Sequence, residues 1–272
     1  MTFPATYRGL LIATLLFTPN GCKKAGTPSA TSQPATPVEL RIAAASDLQF
    51  ALADLLSSFE SLHPDIHVSV TYGSSGNLYS QLANKAPFDV FLSADATYPQ
   101  KLVDQKLAAR SAVFPYATGH TVVWAAKDST IDLKSRGLNA LLEPRVKKIA
   151  IANPDHAPYG RAAVAALKSA NLYDRVKDRL VFGENISQTA QFAASGSADV
   201  GVIALSLALA PQMQGKGTYW EIPTDSYPQI QQAGVILNSS ADLRAAETFR
   251  DYLTSEAGRS TLARCGFSPP AK

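Results

Sequence analysis

The stretch Ile42-Ala43-Ala44-Ala45-Ser46-Asp47-Leu48 decides the fold that the sequence predicts. Its small apolar residues are typical of a buried strand, and the apolar positions that follow, up to Leu62, recur at helical spacing. A serine at such a junction is typical of a helix start, where backbone amides lack partners within the helix. Amides left free in this way bind anions. The stretch therefore predicts a strand that leads into a helix whose first turn faces a ligand.

The same succession of strand, small polar turn and helix recurs along the chain. The further turns are Gly73-Ser74-Ser75-Gly76-Asn77-Leu78, Asn153-Pro154-Asp155-His156-Ala157-Pro158-Tyr159-Gly160 and Gly183-Glu184-Asn185-Ile186-Ser187-Gln188. Repeated βα units with short turns imply a mostly parallel sheet with helices on both faces. Ligands of such sheets bind beyond the carboxyl ends of the strands. Since two turns fall in each half of the chain, we expect two α/β lobes that face each other.

Composition excludes some classes of protein. With 272 residues, 46% of them hydrophobic and 17% charged, the chain is long enough for one large or two medium domains. The net charge is only +3, and no run of Lys and Arg approaches a nucleic-acid footprint. We therefore expect no nucleic-acid partner.

The first 22 residues have the layout of a secretory signal, with Arg8 before an apolar core that is too short to span a bilayer. A small residue precedes Cys22, as at bacterial lipoprotein cleavage sites, although Pro19 stands where such sites usually have leucine. We favour lipidation of Cys22 over plain cleavage. Residues 23–37 carry no large apolar side chain and are predicted to be a flexible tether. The predicted location is periplasmic or extracytoplasmic, at a membrane surface, and no disulfide with Cys265 is expected.

Five motifs in a fixed order resemble the molybdate-binding proteins of bacterial ABC importers. Besides the turns from Ala43, Gly73 and Asn153, they are Ala86-Pro87-Phe88-Asp89-Val90-Phe91-Leu92-Ser93-Ala94-Asp95 and Gly266-Phe267. The resemblance spans about residues 38–268. It implies a two-lobed periplasmic-binding-protein (type II) fold that closes on a tetrahedral oxyanion, with lobe I at 38–118 and 228–272 and lobe II at 119–227.

The resemblance also implies the binding residues. Hydroxyl and amide donors map to Ser46 and Ser75, and backbone amide donors map to Tyr159 and Ile186. Many family members use a tyrosine hydroxyl where this chain has Ala204, so one donor is missing. Ser187, Asn185 and the Tyr159 hydroxyl are the candidates to replace it.

Serines and helix amides suit this chemistry. A fully ionised oxyanion has four acceptor oxygens and no donor, so its site needs only donors, and the four turns contain no Lys or Arg before Arg161. Phosphate carries a proton near neutral pH, and an acceptor carboxylate inside the site would recognise it; Asp47 and Asp155 are the candidates. We expect the Asp47 carboxylate to complement the helix dipole from outside the site.

The sequence thus predicts a non-enzymatic protein that captures molybdate or tungstate and delivers it to an ABC permease in the inner membrane. A monomer without cofactor or bare metal cation is expected. One alternative is a binding protein for another oxyanion, such as sulfate or phosphate. A second is a serine hydrolase that uses Ser46 or Ser75, although no Gly-x-Ser-x-Gly elbow or convincing base accompanies either serine. A third is a sensor that signals to a membrane partner without transport.

Overall fold

The computed structural model describes residues 37–271. The predicted signal segment, Cys22 and all but the last residue of the predicted tether lie outside the described residues. The strands are β1 Val38–Ala45, β2 Ile66–Gly73, β3 Val90–Ser93, β4 Val113–Gly119, β5 Thr121–Ala126, β6 Ile149–Ala152, β7 Leu180–Gly183, β8 Val200–Ala204, β9 Gly217–Glu221 and β10 Ile230–Ile236. The α-helices are α1 Gln49–Leu62, α2 Ser75–Ala83, α3 Thr97–Asp104, α4 Leu133–Arg136, α5 Pro158–Ser169, α6 Tyr173–Val176, α7 Ile186–Ala194, α8 Leu205–Ala208, α9 Leu243–Thr254 and α10 Glu256–Arg264.

The strands form two five-stranded sheets, with strand orders β2-β1-β3-β10-β4 and β7-β6-β8-β5-β9. We use lobe I for the first sheet with the helices packed on it, and lobe II for the second. The chain passes from the first sheet to the second between Gly119 and Thr121, and returns between Glu221 and Ile230. The predicted two-lobed fold is confirmed, whereas the residue limits predicted for the lobes stay a prediction.

The sheets are mixed, although the sequence predicted mostly parallel ones. In the first sheet β1 pairs in parallel with β2 and β3, but β10 runs antiparallel to β3 and β4. In the second sheet β6 pairs in parallel with β7 and β8, but β5 runs antiparallel to β8 and β9. The antiparallel strands β5 and β10 lie next to the two crossings. The chain enters or leaves a lobe there, so the succession of strand and helix is interrupted.

Helices cover both faces of the first sheet. Along β1, Ile42 and Ala44 belong to one apolar cluster, built with α1, α9 and α10, while Ala43 belongs to another, built with α2 and α3. Successive residues of a strand point to opposite faces, so both faces are buried from Ile42 to Ala45, where the strand is apolar. This burial holds the carboxyl end of β1, and therefore the turn at Ser46, in a fixed place.

Two strands, β4 and β9, and three short helices, α4, α6 and α8, were not foreseen. β4 contains Pro115, which argues against a strand, but β4 is an edge strand and its register shifts beside Pro115, where a proline is tolerated. β9 is also an edge strand and is largely exposed, so it lacks the apolar alternation of a buried strand. Helix α4 ends the segment 127–136, whose many polar residues favour a loop. Within residues 37–271, no helix has the length and apolar character needed to cross a membrane.

Candidate functional site

The four residues predicted to bind the anion line one cavity between the lobes. Ser46 follows β1 and Ser75 opens α2 in lobe I, while Tyr159 and Ile186 lie in the first turns of α5 and α7 in lobe II. The cavity has a volume of about 10 Å³, close to the ~10–15 Å³ that one water molecule needs. The lobes are therefore closed on each other in this structure.

Polar contacts across the cleft hold the closed arrangement. The Gly76 amide donates to the His156 carbonyl at 2.9 Å. Arg161 of lobe II donates to the Asp95 carboxylate of lobe I at 2.5 Å. A more open cleft of about 330 Å³ lies beside this ion pair, but Arg161 is the only cation among its lining residues and is already paired. The contacts that close the cleft thus surround the small cavity.

The Ser46 hydroxyl faces lobe II and does not cap its own turn. No side chain caps the short 3₁₀ turn Ser46–Leu48. The Ser46 Oγ instead donates to Asn185 Oδ1 at 3.3 Å and accepts from the Ser187 amide at 3.4 Å. A helix-capping role, which the sequence alone would suggest, is therefore excluded, and the hydroxyl lies between the two lobes.

Ser75 is buried at the first position of α2, and its neighbour Ser74 is the helix cap. The Ser74 Oγ accepts from the Asn77 amide at 3.4 Å. The Ser75 Oγ accepts from the Ala94 amide at 2.9 Å. A hydroxyl that accepts in this way still has its own hydrogen to donate. Ser75 can therefore offer an anion a hydroxyl donor whose oxygen is held in place by the backbone.

Lobe II contributes backbone amides from the starts of two helices. Pro158 occupies the first position of α5 and has no N–H, so the Tyr159 amide is the first donor of that helix. Ile186 opens α7 after Asn185, whose Oδ1 accepts from the Gln188 amide at 3.0 Å. First-turn amides have no partner within their helix and carry the positive end of its dipole.

Gly160 sets the position of the α5 start. A Cβ at this residue would lie 2.1 Å from the backbone oxygen of Ala152 at the end of β6, a distance that atoms do not tolerate. Only glycine lets the first turn of α5 approach the strand so closely. The Tyr159 amide is therefore placed by the contact between helix and sheet.

Asp47 is buried, and the expectation that its carboxylate lies outside the site is wrong. Asp47 is among the residues that line the cavity and is 1% exposed. The Oδ2 atom accepts from the Tyr159 hydroxyl at 2.9 Å and from Gln232 Nε2 at 2.5 Å. Burial raises the Asp47 pKa to about 6, against the lowering effect of these hydrogen bonds. Burial, with the nearby Asp47 charge, raises the pKa of the Tyr159 hydroxyl well above its usual value.

The sequence of this chain matches that of a known protein family. The family model described as "Bacterial extracellular solute-binding protein" matches residues 40–268. The chain belongs to this family. Solute-binding proteins are not enzymes, so the predicted absence of catalysis is confirmed by family membership, and the resemblance seen in the motifs is confirmed as well.

The relatives of this solute-binding protein include two molybdate-binding proteins named ModA. The protein of Rhodobacter capsulatus is 37% identical over 202 residues, which are 74% of this chain and 77% of the relative. That of Azotobacter vinelandii is 36% identical over 229 residues, which are 84% of this chain and 89% of the relative. A solved structure titled as an Azotobacter vinelandii periplasmic molybdate-binding protein superposes with a TM-score of 0.79 at 32% identity, covering 85% of this chain and all of that one.

This solute-binding protein has alanine where a tyrosine donor was expected from the resemblance. Ala204 is fully buried at the end of β8. The three candidates to replace it are all engaged between the lobes. The Tyr159 hydroxyl bonds to Asp47, the Asn185 side chain caps α7, and the Ser187 Oγ donates to Gln49 Oε1 at 3.0 Å.

The polar groups around the cavity do not form a hydrolase site. The partners of the Ser46 and Ser75 hydroxyls are backbone amides and the Asn185 side chain, and none of these is a general base. The residues that line the cavity include no His, Lys or Arg. The His156 Nε2 lies 2.9 Å from the Glu184 carbonyl, so this side chain takes part in a structural hydrogen bond. Among residues 37–271, no group of three His, Cys, Asp or Glu side chains could hold a metal ion.

One residue beside the site, Gln232, escaped sequence reasoning. Gln232 lies in β10 and is 1% exposed, with its amide bonded to Asp47. A glutamine directly before the apolar run Ala233–Leu237 was the available signal, since a polar side chain in a buried strand needs a partner. Asp155, the other carboxylate considered for phosphate, is exposed and does not line the cavity.

Proposed function

We propose that this protein captures molybdate, or tungstate, between its two lobes and delivers it to an ABC permease. The observation that carries the proposal is the convergence of four donor turns, two from each lobe, on one cavity whose lining has no cationic side chain. Ser46, Ser75, Tyr159 and Ile186 are the proposed ligand-binding residues. Hydroxyls and helix amides complement an anion that only accepts hydrogen bonds.

Closure of the lobes is the proposed mechanism of capture. Both lobes contribute donors, so an anion in the cleft gains bonds in the closed state that the open state lacks, and it shifts the population toward closure. The cavity of about 10 Å³ is too small to admit a tetrahedral oxyanion from solvent without opening. We propose that opening occurs at the two chain crossings, near Thr118 and Tyr227, between lobe I at 38–118 and 228–272 and lobe II at 119–227.

Isothermal titration calorimetry of the protein without its signal segment tests the function. We expect molybdate and tungstate to bind with dissociation constants in the micromolar range or below, and sulfate and phosphate to bind more weakly. The ligand-free protein must first be dialysed against chelator-free, oxyanion-free buffer. Lack of binding of both molybdate and tungstate at micromolar concentration would refute the proposal.

Phosphate is the second candidate ligand, because of one observation. The buried Asp47 carboxylate next to the cavity is an acceptor, and an acceptor would recognise the proton that phosphate carries near neutral pH. If phosphate bound more tightly than molybdate in the same titrations, the protein would be a phosphate-binding protein. The donor-only character of the other groups favours molybdate.

We also propose that the protein works outside the cytoplasmic membrane as a monomer, held there by a lipid on Cys22 and the tether 23–37. The layout of the first 22 residues supports this proposal, as does membership of a family of extracellular solute-binding proteins. A Cys22→Ala variant is expected to move from the membrane fraction to the soluble fraction. Mass spectrometry of the wild-type N-terminal peptide should find it acylated; an unmodified Cys22 in membrane-free extract would contradict lipidation.

A further inference from the structure

A buried polar cluster joins the lobes beside the proposed anion site. It consists of Asp47 and Gln232 from lobe I and Tyr159 from lobe II, each no more than 2% exposed. The Asp47 Oδ2 accepts two hydrogen bonds, at 2.9 Å from the Tyr159 hydroxyl and at 2.5 Å from Gln232 Nε2. The carboxyl group of Asp47 is thus the centre of the cluster, and it belongs to the turn that also carries Ser46.

Two oxygen atoms of this cluster have no hydrogen-bond partner within residues 37–271. They are Asp47 Oδ1 and Gln232 Oε1, both buried. Both atoms are acceptors, and the two side chains that carry them are already bonded through Nε2 and Oδ2. Buried polar atoms in native proteins are generally satisfied. The cluster therefore lacks one donor, which a proton on the Asp47 carboxyl group would supply.

Among the residues that the structure describes, no cation pairs with the Asp47 carboxylate. The titratable groups that face it are Tyr159 from α5 and Tyr116 from β4, while β10 and α8 present the uncharged Gln232 and Ser206. The six ion pairs within residues 37–271 do not include Asp47. Burial without a cation raises its pKa to about 6, so the carboxylate is mostly ionised at neutral pH in the ligand-free protein.

We propose that Asp47 takes up a proton from solvent when the anion binds, and that the neutral carboxyl group then pairs with the Gln232 amide beside the loaded site. An O–H bond forms at Asp47 Oδ1, and Gln232 Oε1 accepts from it. The bonds from Tyr159 and from Gln232 Nε2 to Oδ2 remain. The site thereby loses one negative charge as it receives an anion, and both unpartnered oxygens are satisfied. Asp47 is a positioning residue in this scheme.

The direction of the pH effect follows from linkage, and it rests on the proposed oxyanion function. A bound anion favours the neutral carboxyl group, so the Asp47 pKa in the loaded protein lies above its value of about 6 in the free protein. Binding then takes up a proton, and affinity rises as pH falls between the two pKa values. We expect molybdate to bind roughly tenfold or more weakly at pH 8 than at pH 6.

The Asp47→Asn variant imitates the neutral carboxyl group. Its amide can donate to Gln232 Oε1 at every pH, so we expect its molybdate affinity to change less than about twofold between pH 6 and pH 8, and to exceed that of the wild type at pH 8. The control is Asp54→Asn, which removes the same charge from an exposed position on α1 and should keep the wild-type pH dependence.

Proton uptake can also be measured on the wild type alone. Calorimetry of molybdate binding at pH 7 in two buffers with different ionisation enthalpies gives the number of protons taken up, and we expect a value close to one. This result would stand even if Asp47→Asn failed to fold. An uptake near zero, or equal pH dependence in the wild type and Asp47→Asn, would overturn the proton step while leaving the anion function intact. Absence of molybdate binding at both pH values would overturn both proposals.

Discussion

Replacing Ser75 by alanine is expected to weaken molybdate binding by roughly 10- to 100-fold, because a hydrogen bond to a charged group contributes about 1.5–3 kcal/mol. The Ser75 Oγ is fixed by the Ala94 amide at 2.9 Å, so its hydrogen can point to the ligand with little loss of rotational freedom. The serine lies at the start of α2, where the helix amides add to the same positive potential. Few other side-chain donors line the cavity, so the loss is not readily compensated.

The matched control for this variant is Ser80→Ala in the same helix. Ser80 is exposed, and its hydroxyl donates to the Gly76 carbonyl at 3.0 Å within α2. We expect its affinity to stay within about twofold of the wild type, since surface substitutions away from special features change little. Calorimetric titration gives both affinities, and circular dichroism shows that each variant is folded. An unchanged affinity in Ser75→Ala would remove Ser75 from the proposed site.

The second large effect is expected at Asp89, and it concerns stability. Asp89 precedes β3 and is 1% exposed. Its carboxylate accepts from the amides of Arg41 at 2.8 Å and Ala241 at 2.9 Å, so it ties β1 to the segment before α9. Replacement by alanine would leave two amides without partners and should lower the free energy of unfolding by roughly 2–4 kcal/mol.

The pH dependence of this effect has a definite sign. Burial alone would raise the Asp89 pKa, but the hydrogen bonds from Arg41 and Ala241 outweigh it and hold the pKa below its ordinary value of 3.8. A carboxyl group with a lowered pKa in the folded state stabilises the protein above its unfolded pKa, and this contribution is lost as pH falls through the folded pKa. The stability difference between wild type and Asp89→Ala should therefore be largest above about pH 5 and shrink below about pH 4.

Urea unfolding, followed by tryptophan fluorescence at pH 7 and at pH 3.5, measures both quantities. Asp65→Ala is the control, because Asp65 is an exposed carboxylate of the same lobe and should change stability by less than about 0.5 kcal/mol. A destabilisation of Asp89→Ala below about 1 kcal/mol at pH 7 would contradict the role given to its hydrogen bonds.

Much of this protein follows from local sequence signals. The strand β1, the helix α1 and the small polar turns before α2, α5 and α7 were predicted close to their observed limits, because apolar periodicity and cap residues act over a few neighbouring positions. One cavity is lined by residues of these turns and of the β1–α1 junction, namely Ser46, Ser75, Tyr159 and Ile186. These residues occupy strand–helix junctions, and the carboxyl ends of strands meet at one edge of each sheet.

Other features depend on contacts between distant parts of the chain. The edge strands β4 and β9 are stabilised by pairing with β10 and β5, whereas Pro115 interrupts the local signal of β4 and exposure removes the apolar alternation of β9. The sequence led us to expect the Asp47 carboxylate outside the site, at the helix dipole, yet it is buried against Tyr159 and Gln232, which lie 112 and 185 positions further along the chain. The sequence by itself determined which turns present donors. Only the tertiary structure decided that a buried carboxylate lies beside these turns. The burial and the pKa of Asp47 depend on the distant side chains that pack around it.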